Sequence, residues 1–414
     1  MSILVRFALK EVAAPFHKVA AARLDVFTLL VSIGRQNAGK LFRHLQFERR
    51  TLSAIAVALI GMVVAHSGCA QTLTEPGRPH GAKTVWDYPH TGEPPIPPVQ
   101  PLLNVGLRDT AITLGPSNVY YLTGTIGPNF MTDNEGIRLW RSTDLKQWDD
   151  LGLVWTFERD GTWQKQWTTK NGVRRRAVWA PEVHYVKGNF YIAYCVTGLG
   201  TGLLRSRTGK PEGPYVSVNS PDGPLTSGID ASLFEDDDGR VYFVFGNGKI
   251  ARLKDDLSGL AEEPVRLRCV PADADPEHHH PSRPCLADEF DHIGFEGAFL
   301  FKANGRYYLS GAERYYDRYH CMTAESRTLR GPYSTRYVSV PYAGHNTFFQ
   351  DAKGQWWSTI FGNDPQAPIQ KQPGILRVEF DSAGHIRPLV TGEVWSPKRP
   401  ADKKRNSDQE HLTP

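Results

Sequence analysis

The sequence has no large excess of charge of one sign outside its first seventy residues. The 414 residues include 48 Lys or Arg and 44 Asp or Glu. Residues 1–70 hold nine of the basic and three of the acidic residues, which leaves 39 basic against 41 acidic residues in the remainder. A folded domain that binds nucleic acid normally carries a strong positive charge. The near-balance therefore predicts that nucleic acid is not a partner of this chain.

Long apolar runs are also missing, because no stretch of about 18 apolar residues, the length of a membrane helix, follows the N-terminal region. An uncharged apolar run at 52–65 follows Arg49 and Arg50 and precedes small residues at 67–70. This order is typical of a secretory signal. We therefore predict no membrane span, a leader at residues 1–70 with a signal peptide at about 49–70, and export to the periplasm or the exterior. Two alternatives are a buried helix or anchor, and a lipid carried by Cys69.

Cysteine is rare, with five residues in the chain. An exported protein can form disulfides, and Cys269 and Cys285 flank one polar segment, so they are the predicted pair. Cys195 and Cys321 are predicted to pack in strands as small apolar side chains. The alternative is that all four of these thiols are free.

Aromatic residues, glycine and proline are, by contrast, abundant, with 16 Tyr, 19 Phe, 10 Trp, 38 Gly and 30 Pro. This composition favours many short strands joined by tight turns. Residues 71–103 are Pro-rich without a periodic pattern and are predicted to be an extended lead-in. Beyond them one unit recurs five times, a turn residue followed by an aromatic-rich strand and then a second strand. The five units begin Asn118-Val-Tyr-Tyr-Leu, Gly188-Asn-Phe-Tyr-Ile, Gly239-Arg-Val-Tyr-Phe, Gly305-Arg-Tyr-Tyr-Leu and Gly354-Gln-Trp-Trp-Ser.

These repeats predict an all-β fold, a five-bladed β-propeller that forms a single domain at residues 104–395, followed by a polar C-terminal tail at 396–414. The turn residues are most widely spaced after the first and third units. Segments 156–177 and 268–294 are therefore predicted to be polar insertions on the surface.

One position of the repeat carries chemically active side chains. Nine residues before the five turn residues stand, in order, Asp109, Trp179, Asp230, Glu296 and His345. Equivalent positions on the first strand of each blade converge on the central channel of a propeller. Carboxylates held close together acquire different pKa values, which separates acid from base roles. Such a pair is what glycoside hydrolysis requires.

Four of these residues also have a purely structural interpretation. Asp109 or Asp230 alone could stabilise a strand end, and Trp179 could be a core aromatic instead of stacking on a sugar. His345 could be a neutral histidine satisfied by backbone groups instead of lining the channel or helping to hold a cation or water. Glu296 has apolar or small neighbours, where a buried carboxyl would have the raised pKa of a general acid.

Four segments carry a resemblance to a known family. Leu107-Arg-Asp-Thr-Ala, Trp179-Ala-Pro-Glu, Ile229-Asp-Ala-Ser-Leu-Phe and Phe295-Glu-Gly-Ala resemble glycoside hydrolase family 43. The resemblance implies a five-bladed propeller and an inverting enzyme, with Asp109 as general base, Asp230 as the group that modulates pKa and orientation, and Glu296 as general acid. It implies no required cofactor, although His345 could contact a structural calcium ion in the channel. Asp109 is followed by Thr110, where the family commonly has Pro.

The sequence therefore predicts a glycoside hydrolase that acts on an oligosaccharide or polysaccharide. The favoured activity is inverting and exo-acting on plant or algal oligosaccharides, similar to an arabinofuranosidase or xylosidase. Two alternatives stay open, an exo-enzyme of the anhydrogalactosidase type and a carbohydrate-binding propeller without catalysis. Arg174, Arg175 and Arg176, near Trp163 and Trp167, could in addition hold an acidic or sulfated sugar.

Overall fold

The computed structural model describes residues 93–219, 223–270, 291–315 and 318–397. The leader at 1–70, Cys69, Cys285 and most of the second insertion lie outside these residues, and so does the tail from residue 398. Within the described part, no helix is long and apolar enough to cross a membrane. The helical elements there are α1 (Phe157–Asp160) and two 3₁₀ turns, Pro116–Asn118 and Trp163–Lys165.

Five antiparallel sheets of four strands each form the blades. Blade 1 contains β1 (Leu107–Leu114), β2 (Tyr120–Ile126), β3 (Gly136–Ser142) and β4 (Asp149–Thr156), and a separate hairpin of β5 (Thr168–Lys170) and β6 (Val173–Arg175) follows it. Blade 2 contains β7 (Val178–Val186), β8 (Asn189–Val196), β9 (Gly200–Ser206) and β10 (Tyr215–Ser217). Blade 3 contains β11 (Ala231–Glu235), β12 (Val241–Phe245), β13 (Lys249–Arg252) and β14 (Val265–Arg266). Blade 4 contains β15 (Glu296–Ala303), β16 (Arg306–Tyr315), β17 (Arg318–Ser326) and β18 (Tyr337–Val340), and blade 5 contains β19 (Phe348–Gln350), β20 (Trp356–Ile360), β21 (Gly374–Phe380) and β22 (Ile386–Pro388).

The core is divided into layers between neighbouring blades. One layer joins blades 1 and 2 through Tyr121, Trp155 and Tyr194, and similar clusters lie between blades 2 and 3, 3 and 4, 4 and 5, and 5 and 1. Strand β1 contacts both β7 and β19, while β11 contacts β7 and β15. The first strands of the blades thus stand next to one another around the centre, and the predicted five-bladed β-propeller is confirmed.

The described part of the lead-in closes the ring. Every blade consists of consecutive strands, and no strand from the described part of the lead-in, residues 93–103, joins the last blade. Instead, Ile96 and Val99 are buried in the layer between blades 4 and 5. The N–H of Leu102 donates to the carbonyl of Pro373 at 2.7 Å, and the N–H of Trp395 donates to the carbonyl of Ile96 at 2.7 Å. Residues 93–103 are therefore part of the packed structure, although their composition alone indicates only an extended segment.

The cysteines follow the sequence analysis in part. Cys195 in β8 and Cys321 in β17 are buried in strands, as predicted. Cys269 is buried in the layer between blades 3 and 4. Its predicted partner Cys285 lies outside the described residues, so the disulfide stays a prediction.

Candidate active site

Left-handed backbone marks the start of each blade. Asp109, Asp230 and His345 have φ values of 50°, 54° and 58°. In blades 2 and 4 the equivalent conformation falls on Ala180 and Gly297, with φ values of 43° and 65°. Non-glycine residues rarely adopt positive φ, and clusters of such residues are typical of functional sites.

Hairpin turn length explains why the sequence count placed two residues one position too early. The first hairpin has a two-residue turn in blades 2 and 4, since Val186 pairs with Asn189 and Ala303 pairs with Arg306. In blades 1, 3 and 5 the turn has three residues, at 116–118, 237–239 and 352–354. Counting back nine residues therefore reaches the left-handed residue in three blades and the residue before it in the other two. The prediction that all five residues are structurally equivalent is wrong for Trp179 and Glu296.

Glycine is required at the left-handed position of blade 4. A Cβ at Gly297 would lie 2.8 Å from Cγ of His345, closer than side chains can approach, and φ there is positive. Glu296 thereby enters the site from the preceding residue, while the backbone of Gly297 packs against His345.

The corrected register places Arg108 in the same position as Trp179 and Glu296, and the sequence analysis did not select it. The Arg108 guanidinium carbon lies 4.2 Å from the centre of the Phe130 ring, and Nη1 donates to Oδ1 of Asn363 at 2.9 Å. Nε1 of Trp179 donates to the carbonyl of Phe130 at 2.6 Å. Counting nine residues back from the turn residue selects Asp109 and passes over Arg108. The shorter turns in blades 2 and 4 were the sequence signal that could have identified Arg108.

The structure brings three of the predicted groups around His345. Nδ1 of His345 lies 3.7 Å from Oδ1 of Asp109 and 3.8 Å from Oδ2 of Asp230. Oδ2 of Asp230 accepts a 3.1 Å hydrogen bond from the N–H of Gly297, which directly follows Glu296. The three carboxyl groups and the imidazole of His345 therefore form one interacting cluster. Burial and the charges within the cluster shift the pKa values of Asp230, Glu296 and His345.

Burial raises the pKa of Asp230 to about 7. The charge of His345 lowers this pKa, whereas the charges of Glu296 and Asp109 raise it further. Near neutral pH, the carboxyl group of Asp230 is thus close to its midpoint instead of fully ionised. A proton is therefore available within the cluster at the pH where most glycosidic bonds are stable.

The pKa of Glu296 is also raised, with burial as the largest cause. His345 and the hydrogen bond from Oη of Tyr319 to Oε1, 2.8 Å long, oppose this rise. Burial lowers the pKa of His345 itself, but the surrounding carboxylates outweigh burial, so that this pKa is raised. Glu296 keeps a partly exposed edge, as a group that must reach substrate requires.

Side chains that could hold a metal ion are not arranged together here. Among the described residues, no three His, Cys, Asp or Glu side chains form a group that could bind an ion. The indirect contact of His345 with a structural calcium ion stays a prediction, and no step below depends on it.

Comparison with known proteins assigns the family. Residues 99–386 match the family described as Glycosyl hydrolases family 43. The chain is 29% identical over 267 residues to the beta-D-galactofuranosidase xynD of Aspergillus niger, which covers 55% of this chain and 71% of that protein. It is 26% identical over 264 residues to the xylosidase/arabinosidase 43A of Humicola insolens, which covers 54% of this chain and 73% of that protein.

Among solved structures, an endo-1,4-beta-xylanase of Bacteroides thetaiotaomicron superimposes with a TM-score of 0.52 and 25% identity, covering 72% of this chain and 98% of that one. The family match spans more than half of the chain and contains Asp109, Asp230 and Glu296. The protein therefore belongs to glycosyl hydrolase family 43 and is a glycosidase.

Proposed function

We propose that this protein is an inverting, exo-acting glycosidase that removes sugars from plant or algal oligosaccharides, with an activity similar to that of an arabinofuranosidase or xylosidase. The observation that carries the proposal is the different environment of two carboxyl groups in one site. Asp109 accepts a hydrogen bond of 2.7 Å from Oγ1 of Thr125. Glu296 keeps a partly exposed edge, and its pKa is raised, mainly by burial of the rest of the group. One group is thus suited to accept a proton and the other to donate one.

The proposed reaction is a single displacement. Asp109 takes a proton from a water molecule, whose oxygen attacks the anomeric carbon of the sugar. The bond between this carbon and the leaving-group oxygen breaks, and Glu296 gives its proton to that oxygen. The water approaches from the face opposite the leaving group, so the product has the inverted configuration.

Asp230 is proposed to adjust Glu296 instead of contacting the water. Its Oδ2 accepts a hydrogen bond from the N–H of Gly297, the residue after the proposed acid, and the charge of Glu296 raises its pKa. Two nearby carboxylates disfavour ionisation of both, which keeps a proton in the site. Trp179 is proposed to contact the bound sugar at the rim, because its ring is partly exposed and its nitrogen is fixed.

The substrate class rests on the relatives. The two curated proteins named above are a galactofuranosidase and a xylosidase/arabinosidase. Nitrophenyl α-L-arabinofuranoside, β-D-xyloside and β-D-galactofuranoside, together with natural arabino- and xylo-oligosaccharides, therefore form the first panel. We expect hydrolysis of at least one, and release of single sugars from the natural chains. A mixture of long products would contradict exo action.

Proton NMR of the first-formed product tests the stereochemistry, because inversion gives the opposite anomer before mutarotation. A retained anomer would overturn the proposed mechanism. Tight binding of these sugars without any hydrolysis would instead support the carbohydrate-binding alternative. Cleavage restricted to anhydrogalactose-containing oligosaccharides would support the other alternative.

We also propose that the chain is exported, on the basis of the basic, apolar and small residues at 49–70. N-terminal sequencing of the protein recovered from the periplasm or the culture medium should find a start near residue 71. A lipid on the new N-terminus would identify Cys69 as an anchor. Recovery of the uncleaved chain from the cytoplasm alone would refute export.

A further inference from the structure

The first insertion is more ordered than a polar surface loop. Trp163 and Gln164 are buried, and Nε2 of Gln164 donates to Oη of Tyr194 in blade 2 at 2.6 Å. Strands β5 and β6 then form a hairpin through the turn at Asn171 and Gly172. The segment is mostly exposed at the surface, but its buried residues and its hairpin make it a fixed element of the structure.

The hairpin segment has a strong local charge. Residues 161–181 contain five basic and no acidic residues, although the chain beyond the leader is nearly balanced. The basic residues are Lys165, Lys170, Arg174, Arg175 and Arg176. A local excess of this kind attracts anions, and the fixed backbone reduces the entropy lost when an anion binds.

The three arginines are not equivalent, because alternate residues of a strand face opposite sides. Thr169 pairs with Arg174, and Thr168 pairs with Arg175. Arg174 and Arg176 therefore share one face of the hairpin with Trp167, and both guanidinium carbons lie 4.4 Å from the centre of its ring. Arg175 belongs to the other face, together with Lys170.

Arg176 fixes this face to the rest of the site. It forms a 2.7 Å ion pair with Glu158, and its N–H donates to the carbonyl of Thr132 at 2.7 Å. Thr132 lies two residues after Phe130, which contacts Arg108 and accepts the hydrogen bond of Trp179. The short loop at 130–132 thus connects the hairpin with Arg108 and Trp179, which occupy the same strand position as the proposed general acid Glu296.

Arg174 is the cation that remains available. Its side chain is exposed, and no carboxylate of the described residues lies within ion-pair distance of it. Trp167, with 39% of its surface exposed, provides an adjacent aromatic contact. The cavity of about 770 Å³ behind the hairpin differs, because its arginines Arg138 and Arg176 are paired with Asp150 and Glu158. An anion is therefore better accommodated beside Arg174 than in this cavity.

We propose that Trp167 and Arg174 form a binding subsite for an anionic sugar unit of the substrate. This unit is a different one from the sugar that the enzyme releases. The ligand chemistry is a carboxylate or sulfate bound by the guanidinium fork of Arg174, which its contact with the Trp167 ring holds in place. The subsite rests on the proposed glycosidase function, and it predicts that acidic oligosaccharides are better substrates than neutral ones of equal length.

The test compares the unmodified protein with Arg174→Ser, and Lys170→Ser is the matched control. Lys170 lies on the same hairpin, is exposed and carries the same charge, but belongs to the opposite face. The probes are a glucuronate-bearing xylo-oligosaccharide and a sulfated galacto-oligosaccharide, each with its neutral counterpart of equal length. We expect Arg174→Ser to raise KM for an acidic probe about tenfold, with less than a twofold change for the neutral counterpart and for Lys170→Ser in both.

Salt and a direct binding measurement complete the test. Raising ionic strength should raise KM for the acidic probe only, because salt screens exposed charges. Calorimetric titration of the same probes measures binding at the subsite even if no probe is cleaved. Failure of the proposed glycosidase function can therefore be distinguished from failure of the proposed subsite. A preference for either acidic probe that Arg174→Ser abolishes supports the subsite. Equal binding of acidic and neutral probes, or equal effects of the two variants, would overturn it.

Discussion

Thr125 donates a hydrogen bond of 2.7 Å from Oγ1 to Oδ2 of Asp109, the proposed general base. The same oxygen accepts a 2.8 Å hydrogen bond from the N–H of Ala180 in the next blade. Because the backbone N–H can only donate, the hydroxyl hydrogen of Thr125 is directed to the carboxylate. Blade 2 thus fixes the orientation of a side chain in blade 1, and Oδ1 of Asp109 remains on the side of His345.

Thr125→Val should lower kcat about tenfold or more and leave KM nearly unchanged, because the carboxylate of Asp109 loses the group that orients it. Thr125→Ser keeps the hydroxyl and should restore most of the rate. Steady-state kinetics of both variants on one aryl glycoside give the comparison. If Val and Ser variants lost activity equally, the effect would be one of packing and not of orientation.

Glu296→Gln should lower kcat about 10²-fold or more on natural oligosaccharides, because their leaving oxygen needs a proton. The loss should be much smaller on aryl glycosides with an acidic phenol, which leaves without protonation. Asp109→Asn should reduce the rate on both kinds of substrate, because water activation does not depend on the leaving group. Equal sensitivity of the Glu296→Gln variant to both substrates would argue against its role as general acid.

The pH profile should fall on its alkaline side as Glu296 loses its proton. The raised pKa of Glu296 extends the protonated, active form to higher pH than an ordinary carboxyl would allow. Tyr319→Phe removes a hydrogen bond that lowers this pKa, so the alkaline limit should move to higher pH. A profile of kcat/KM for both proteins measures the shift, and movement to lower pH would contradict the assignment.

Asp230 should make the fold less stable as pH rises from about 4 to about 7. Its pKa is about 7 in the folded state against about 3.9 in the unfolded chain, so the unfolded state releases its proton first. The effect has an upper limit of about 4 kcal/mol at about 1.4 kcal/mol per pKa unit, and the pKa of about 7 already includes the lowering by His345. Asp230→Asn should therefore gain Tm relative to the unmodified protein between pH 5 and 8. A constant Tm difference across this range would contradict the raised pKa.

Ring closure by the lead-in predicts a stability effect far from the carboxylates. Ile96 is 1% exposed in the layer between blades 4 and 5, and Ile96→Ala should cost about 2–5 kcal/mol through lost contacts and a cavity. Val105→Ala is a suitable control, because Val105 is 36% exposed. Denaturant unfolding measures both, and a neutral Ile96→Ala variant would show that the lead-in is not needed for closure.

The repeat pattern predicted the number of blades and the carboxylates, because alternating aromatic strands and turn residues are local in sequence. It failed where the outcome depends on contacts between distant residues. The one-residue shift of Glu296 and Trp179 depends on whether a turn has two or three residues, and a glycine marks both kinds. The role of Thr125 depends on a hydrogen bond to Ala180, 55 positions away.

Composition also failed to predict the buried residues of two segments. The lead-in and the first insertion are polar or Pro-rich, yet Ile96 and Gln164 are buried by partners at Trp395 and Tyr194. A few buried residues in an otherwise irregular stretch produce no periodic signal.

The variation in turn length has a practical consequence for engineering. Each hairpin turn lies at the end of the first strand remote from the left-handed residue, about 25 Å away for an extended strand of eight residues. Turns of two residues in blades 2 and 4 coexist with turns of three residues in blades 1, 3 and 5, while the left-handed residue keeps φ values between 43° and 65° in all five blades. This end of the propeller therefore tolerates insertions, and a peptide tag or a second domain placed at Gly305 or Gly354 should leave the catalytic geometry unchanged.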